Sequence, residues 1–367
     1  MTQRTTDQNS LFEMTSDAQL IHEILSMPKI DLHRHLTGAI DAETAVKIAA
    51  KYNVELPTYV ISELEDLLFK SDSANTLQQY FHPWWEILNK LFVSKEAIHD
   101  IILEVIKKAA EDNIIYLELR MGPRGFLGNN IFTFEQFIEA VSESVAEANA
   151  TFNNIITRCI LGIPRHVFGN IRPQTRNRML ARMVSIISSF RQDCFVGVDL
   201  NGDEDAISGK EFEVFFKIAK DKGLGITVHA GECGSTSNVR EAVDQLYAQR
   251  IGHGLAAVHD ADLLRILAER NCALEICPES NRILRKISRI EELPLKILQE
   301  YGVPFVICSD NTARNRTSLS QELFKIAKAF RFSSVTLKEI TLSSLKHSFT
   351  DLETKKSIKS KLYSVAC

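Results

Sequence analysis

Four short segments carry the residues best suited to chemistry. Asp31-Leu32-His33-Arg34-His35 places two imidazoles two positions apart. His229-Ala230-Gly231-Glu232 sets a carboxylate just beyond a third histidine, across two small residues. Ile251-Gly252-His253-Gly254 flanks a fourth histidine with glycines, and Ser309-Asp310-Asn311 sets a carboxylate beside an amide. In extended chain, positions i and i+2 face the same side, about 7 Å apart, so His33 and His35 can reach one ion while Arg34 points away. With His229 and Asp310 they make a nitrogen and oxygen ligand set. That set suits zinc, with iron, cobalt or manganese as lesser fits. A glutamate near such an ion, not itself a ligand, is what metal-assisted hydrolysis needs to move protons. Each residue also has a plainer reading. A lone histidine at a strand end is commonly a hydrogen-bonded structural group, and Glu232 could simply favour a helix N-terminus. Convergence on one rim is what makes independent structural roles improbable.

Convergence requires elements that bring the four segments together. Eight short apolar runs recur along the chain: Ile30–Leu32, Ile114–Leu119, Ile155–Ile163, Phe195–Leu200, Ile226–Val228, Arg250–Gly252, Ala273–Ile276 and Val303–Ile307. Their Ile, Val and Leu content and weak alternation fit strands buried on both faces of a parallel sheet. Between them, Phe134–Ala148, Thr175–Phe190, Lys210–Lys222, Ala261–Glu269 and Leu295–Tyr301 place apolar residues at helical spacing. Gly223 and Gly302 follow two of these, where a C-cap glycine belongs. Eight alternating units predict an α/β fold, a (β/α)8 TIM barrel, whose active site lies at the C-terminal ends of the strands; a doubly wound open sheet is the alternative, with no GxGxxG turn after the first strand to support it. The first, fifth, sixth and eighth runs end in the four segments above.

One stretch breaks the alternation. Residues of about 41–112 read as a helical insertion after the first strand, with patterns at Glu63–Lys70, Thr76–Phe92 and Glu96–Glu111. Phe81, Trp84, Trp85 and Phe92 fall in it. They read chiefly as helix packing, with a lid over the pocket as the lesser alternative. Residues 1–18 read as a flexible tail, 19–367 as a single domain, and the patterns after Ser318 as C-terminal helices closing the barrel.

The composition fits this and excludes several classes. The 367 residues are 45% hydrophobic and 25% charged, with net charge -4, which gives a large core and no basic face for nucleic acid. The polar N-terminus lacks a signal-type apolar core, and no run is long enough to span a membrane. Seven cysteines at wide spacings, without a CxxC pair, fit reduced thiols in a cytoplasmic protein. Of these, only Cys277 and Cys308 sit at strand ends, and Cys308 should alternate away from the site. A P-loop reading of Gly202–Lys210 fails on spacing and on Glu211 in place of Ser or Thr.

In order, His33-Arg34-His35, His229-Ala230-Gly231-Glu232, Arg250-Ile251-Gly252-His253-Gly254, Cys277-Pro278-Glu279-Ser280-Asn281 and Ser309-Asp310-Asn311 resemble the adenosine deaminase family of the metal-dependent amidohydrolase superfamily. The likeness runs from about Pro28 to Leu319, and the second and third motifs are the specific ones. It implies a barrel with one zinc ion held by His33, His35, His229 and Asp310. Glu232 would protonate purine N1, and His253 would steady the attacking hydroxide beside Asp310. Gly202 would offer its backbone N–H to N3, with His35, Thr37 and Asn311 also against the substrate and Asp199 as an interior support. The implied reaction converts adenosine, or a related 6-aminopurine nucleoside, to the 6-oxo purine and ammonia.

Two positions depart from that family's usual pattern. Thr37 stands where an Asp commonly meets the ribose 5′ hydroxyl, so this end carries no charge to repel a 5′ phosphate. Asn311 stands where a second Asp faces N7, and its amide can donate at any pH. Arg124, Arg165, Arg314 and Arg316 read either as solvated loop charges or as an anion-recognition group near the rim. A modified or 5′-altered adenine compound (N6-methyl-AMP type), or adenine, is therefore the alternative substrate. A non-catalytic purine-binding descendant is the rival from another class, and it leaves Glu232 without a physical purpose.

Overall fold

The computed structural model describes residues 17–69, 85–123, 132–189, 194–233, 235–284 and 286–364. Eight parallel strands form one sheet in sequence order: β1 (Lys29–His35), β2 (Ile114–Met121), β3 (Ile156–Pro164), β4 (Phe195–Asn201), β5 (Gly225–Ala230), β6 (Arg250–His253), β7 (Ala273–Ile276) and β8 (Phe305–Ile307). The ring closes through Asp310, just past β8, which bridges to Arg34 of β1 in parallel. Each predicted run is a strand. The last begins at Phe305, because Pro304 has no N–H for the ladder and contributes only its carbonyl, to Leu274 at 3.0 Å. β1 is longer than its apolar run, since its polar Asp31, His33 and His35 belong to the strand as well.

Apolar residues of both strand faces and of the helices form a continuous core that spans the barrel and its outer ring. Helices Phe134–Thr151, Pro173–Ser189, Ala261–Glu269 and Leu295–Tyr301 lie close to their expected spans. The Lys210–Lys222 pattern begins as a 3-10 turn, Gly209–Phe212, before the helix Glu213–Asp221. Gly302 caps its helix in the left-handed conformation, φ 69°. Among the described residues, helices over 17–26, Arg165–Phe168, Thr236–Asp244 and Pro278–Ile283 escaped the periodicity. Thr236–Asp244 opens on Thr-Ser-Asn and has only a narrow apolar stripe, and Pro278–Ile283 is too short to show a period.

The stretch after β1 forms helices Ala42–Tyr52 and Ile61–Phe69, followed by Lys95–Glu111. The last of these packs against β2 and the helix Phe134–Thr151, so it belongs to the outer ring of the barrel. Phe81 and Trp84 lie outside the described residues, as do Arg124 and most of the expected 1–18 tail, whose end enters a helix over 17–26. Phe92 is buried core. Trp85 packs partly on that core and stacks on His166 at the rim, with ring centroids 5.8 Å apart and planes at 18°. After β8, Leu319–Phe330, Ser334–His347 and Leu352–Ser364 complete the chain's helices. No described helix is long and apolar enough to cross a membrane.

Candidate metal centre and active site

β1 delivers two imidazoles to the C-terminal mouth of the barrel. His33 and His35 face the same side, and their Nε2 atoms lie 3.2 Å apart. Arg34 points away, as expected, and is buried against Asp31 and Ser309, with Nε 3.1 Å from each. β5 carries His229 one residue before its end, with Nε2 3.3 Å from that of His35. Asp310 brings Oδ1 to 3.5 Å from His33 Nε2 and 3.4 Å from His35 Nε2. Residues far apart in the chain thus bring four candidate ligand atoms together, with His35 Nε2 within 3.4 Å of each of the other three.

The far nitrogens explain which way the lone pairs face. His33 Nδ1 lies 2.8 Å from Glu275 Oε2, and His229 Nδ1 lies 3.0 Å from Asp199 Oδ1. Each carboxylate holds the proton on Nδ1 and leaves Nε2 as a bare lone pair. Imidazole nitrogens facing one another without protons repel unless a cation lies between them, so this donor set fits a metal ion. Burial, opposed by Asp310 and reinforced by His33 and His229, lowers His35 to about 3. At His33 burial is outweighed by Asp310 and Glu275, and the pKa rises. The position favours positive charge.

The supporting carboxylates are themselves tied. Arg120 of β2, fully buried, pairs with Glu275 and reaches Asp199 Oδ2 at 3.2 Å. Arg250 donates Nε to Glu275 at 2.7 Å and Nη2 to Glu118 at 2.5 Å. Asp199 is the interior support expected of it. Glu275, Arg120 and Arg250 were not read as site residues. The signal was there, because a charged residue inside a strand buried on both faces must be paired.

Two further groups flank the ligands. Burial, with the Asp310 and Glu204 carboxylates nearby, pushes the Glu232 carboxyl up to about 8, so it holds a proton near neutral pH. Its Oε1 is 3.4 Å from His253 Nε2. His253 adopts a positive φ of 64° beside Gly254 at 74°, and Asn281 Nδ2 lies 3.2 Å from its Nδ1, fixing the ring plane. Burial holds His253 well below its usual pKa, as a neutral imidazole. Cys277 also approaches His33, His253 and Asp310. Burial pushes its thiol well above the ordinary range, so it remains a thiol rather than a thiolate ligand. Cys308 packs in the apolar cluster on the other side, with Ile30, Leu32 and Val306.

The remaining expected contacts line the rim. Gly202 follows β4 with φ 88°, and a Cβ there would approach His166 Nδ1 to 3.0 Å. Thr37 opens a short 3-10 turn, Thr37–Ala39, immediately after His35 and Leu36. Asn311 donates Nδ2 to Asp310 Oδ1 at 2.7 Å, and its side chain packs where a Cβ on Gly38 would fall. Arg165 is neither a solvated charge nor an anion clamp. It is buried, donating to the carbonyls of Ile207 and His229 at 3.1 Å each, because the strand-end loops fold over it. Arg314 is buried as well, whereas Arg316 stacks over Phe69 at 4.1 Å and pairs with Asp66 at 3.4 Å.

Comparison with known proteins agrees with this geometry. The adenosine deaminase family profile matches residues 28–365. An adenosine deaminase of Clostridium botulinum is 32% identical over 341 residues, 91% of this chain and 96% of that protein. Among solved structures, an adenine deaminase from Arthrobacter aurescens superposes with a TM-score of 0.81 at 22% identity, covering 92% of this chain and 98% of the other. The apo N6-methyl-AMP deaminase of Arabidopsis thaliana gives 0.79 at 24% identity, covering 94% and 98%. The two folds coincide with this barrel. A chain matched over nearly its whole length, with histidines and carboxylates gathered at one mouth of the barrel, belongs to the adenosine deaminase family of hydrolases that act on C–N bonds.

Proposed function

We propose that this protein is a zinc-dependent hydrolase that converts adenosine, or a closely related 6-aminopurine nucleoside, to the 6-oxo purine with release of ammonia. The observation that carries this is the position of Glu232, its carboxyl pushed up to about 8 by burial, beside the cluster of His33, His35, His229 and Asp310. His35 Nε2 lies 3.2 Å from His33 Nε2, 3.3 Å from His229 Nε2 and 3.4 Å from Asp310 Oδ1, and a nitrogen and oxygen donor set of this kind suits zinc. His33, His35, His229 and Asp310 would hold the ion. When bound, it supplies the Lewis acidity that lets water ionise near neutral pH.

The chain's own residues do the rest. Gly202 offers a backbone N–H to the N3 edge of the ring, and the Asn311 amide serves the N7 edge. Glu232, neutral before reaction, gives its proton to N1, which draws electrons from C6 and opens it to attack. His253, held in plane by Asn281, orients the attacking oxygen. Of the attacking water's two protons, one restores Glu232 and the other passes to the leaving amino group, which departs as ammonia while N1 keeps the proton it received.

A second reading, deamination of a 5′-phosphorylated or N6-methylated adenine compound, is favoured by the ribose end. Thr37 brings no carboxylate there. The buried Arg314 is carried on the same turn, since the N–H groups of Ala313 and Arg314 both reach the Gly38 carbonyl, at 3.0 and 3.4 Å. The deciding experiment follows 6-amino to 6-oxo conversion by zinc-loaded protein on adenine, adenosine, AMP and N6-methyl-AMP. Turnover of the nucleoside supports the first reading and preference for the phosphate the second. No turnover of any of them would overturn both.

A further inference from the structure

Glu204 lies two residues beyond Gly202 and is buried. Its Oε2 accepts from the backbone N–H of Gly231 at 2.7 Å, and its Oε1 accepts from the N–H of Cys233, also at 2.7 Å. The two oxygens of one carboxylate therefore hold the backbone N–H groups of the residues on either side of Glu232. Asn238 Nδ2 adds a third donor, 3.0 Å from Oε2. Hydrogen bonds to an ionised carboxylate are the strong kind. They act on a turn that Gly231 enters at φ 67°, where a Cβ would come within 2.6 Å of Val239.

A second brace runs parallel to the first. Arg165 joins the Ile207 carbonyl, on the same loop as Glu204, to the His229 carbonyl, near the C-terminal end of β5. The loop after β4 is thus tied both to the end of β5 and to the turn that carries Glu232. With the backbone fixed on both sides, Glu232 keeps only its own side-chain torsions.

We propose that Glu204 is a positioning residue: its carboxylate sets the reach of Glu232 and fixes it relative to Gly202. The proposal rests on the reading of Glu232 as proton donor to N1 and of Gly202 as the N3 contact. One carboxylate then holds in register the two groups that meet the same ring. A displacement of the donor by about 1 Å is enough to cost on the order of 100-fold in rate.

The test compares Glu204→Gln, Glu232→Gln and the double variant in zinc-loaded protein. Glutamine presents an NH2 to one of the two backbone N–H donors, so the clasp is half lost. E204Q should lower kcat by about 10- to 100-fold with KM within about threefold and bound zinc unchanged, because the donor acts in the transition state. The double variant should be no slower than E232Q alone, since Glu204 works through Glu232. Amide hydrogen exchange over residues 229–235 should accelerate in E204Q while β1 stays protected. Should E204Q fail to fold, Glu204→Asp, which keeps the charge and shortens the reach, carries the same comparison. Wild-type kcat in E204Q, an extra loss in the double variant, loss of zinc, or exchange spread over the whole barrel would each overturn the proposal. Full activity of E232Q would instead overturn the assignment of Glu232, a failure the exchange data would separate from that of the clasp.

Discussion

Asp310 meets His33 twice: its backbone N–H donates to the His33 carbonyl at 2.7 Å, and its carboxylate lies 3.5 Å from His33 Nε2. The first contact, with that from His35 N–H to the Asp310 carbonyl at 3.1 Å, closes the barrel. The second puts the carboxylate in the proposed metal centre. Asp310 takes a φ of 58°, an uncommon conformation outside glycine, and the closure bonds hold it there. Asp310→Asn should therefore keep the closure, which uses only backbone, and lose the charged ligand oxygen. Metal affinity should fall by more than the about 10- to 100-fold typical of an outer support. Chelator competition measures this, and a melting temperature in excess chelator should change little. Metal binding equal to wild type would remove Asp310 from the ligand set.

Glu232 is separable from the metal by the same logic. It stands beside the proposed ligands and is in neither candidate metal-binding group, and burial pushes its carboxyl up to about 8. Glu232→Gln retains the shape but has no acidic proton to give. Zinc content and product binding should be unchanged, while kcat falls by about 10²- to 10⁴-fold. Turnover within a few-fold of wild type would assign the proton to another group.

These two predictions rest on residues that could be read directly, and the contrast with the rest is physical. His33, His35, His229 and Asp310 stand out because polar groups end strands that are otherwise apolar. Their supports are as polar, yet they sit inside the strands, where each looks like an interruption of an apolar run. Arg120 and Glu275 are far apart in the chain and meet only when the sheet curls, so no local spacing reveals the pair. Glu204 is hidden for a similar reason, since its partners are backbone N–H groups, which any residue supplies. Arg165 was misread because a rim position suggests solvent, whereas the loops close over it.

The opposite end of the barrel offers a packing test. Phe349 donates its N–H to Glu118 at 2.6 Å, its ring lies 3.6 Å from the Arg250 guanidinium, and a Cβ on Gly225 would fall 2.1 Å from the ring's Cγ. Glycine at the start of β5 therefore leaves the room that Phe349 fills. Gly225→Ala should destabilise by about 1–3 kcal/mol, the usual cost of overpacking. In a Phe349→Ala background the same substitution should cost less, with a coupling of about 0.5–3 kcal/mol in denaturant unfolding. Equal costs in both backgrounds would show that the ring is not what the glycine accommodates.

Glu322 makes stability depend on pH away from the metal centre. Its carboxylate accepts from the Glu279 N–H at 3.0 Å and from Thr317 Oγ1 at 2.5 Å, with Lys325 Nζ at 3.8 Å. Burial outweighs these partners and pushes its pKa up to about 7 from 4.5. A folded pKa above the unfolded one means that the native state binds more protons between those values. The stabilisation is fully present below pH 4.5 and is lost as pH rises through about 7. Its size is at most about 3 kcal/mol, from 1.36 kcal/mol per unit. Glu322→Gln cannot titrate, so the stability difference should move in the variant's favour between pH 4.5 and 7.5, whatever glutamine costs in hydrogen bonds. Urea unfolding across that range reads the slope. Parallel curves for the two proteins would mean that Glu322 is ionised throughout, with Lys325 and its hydrogen bonds offsetting burial.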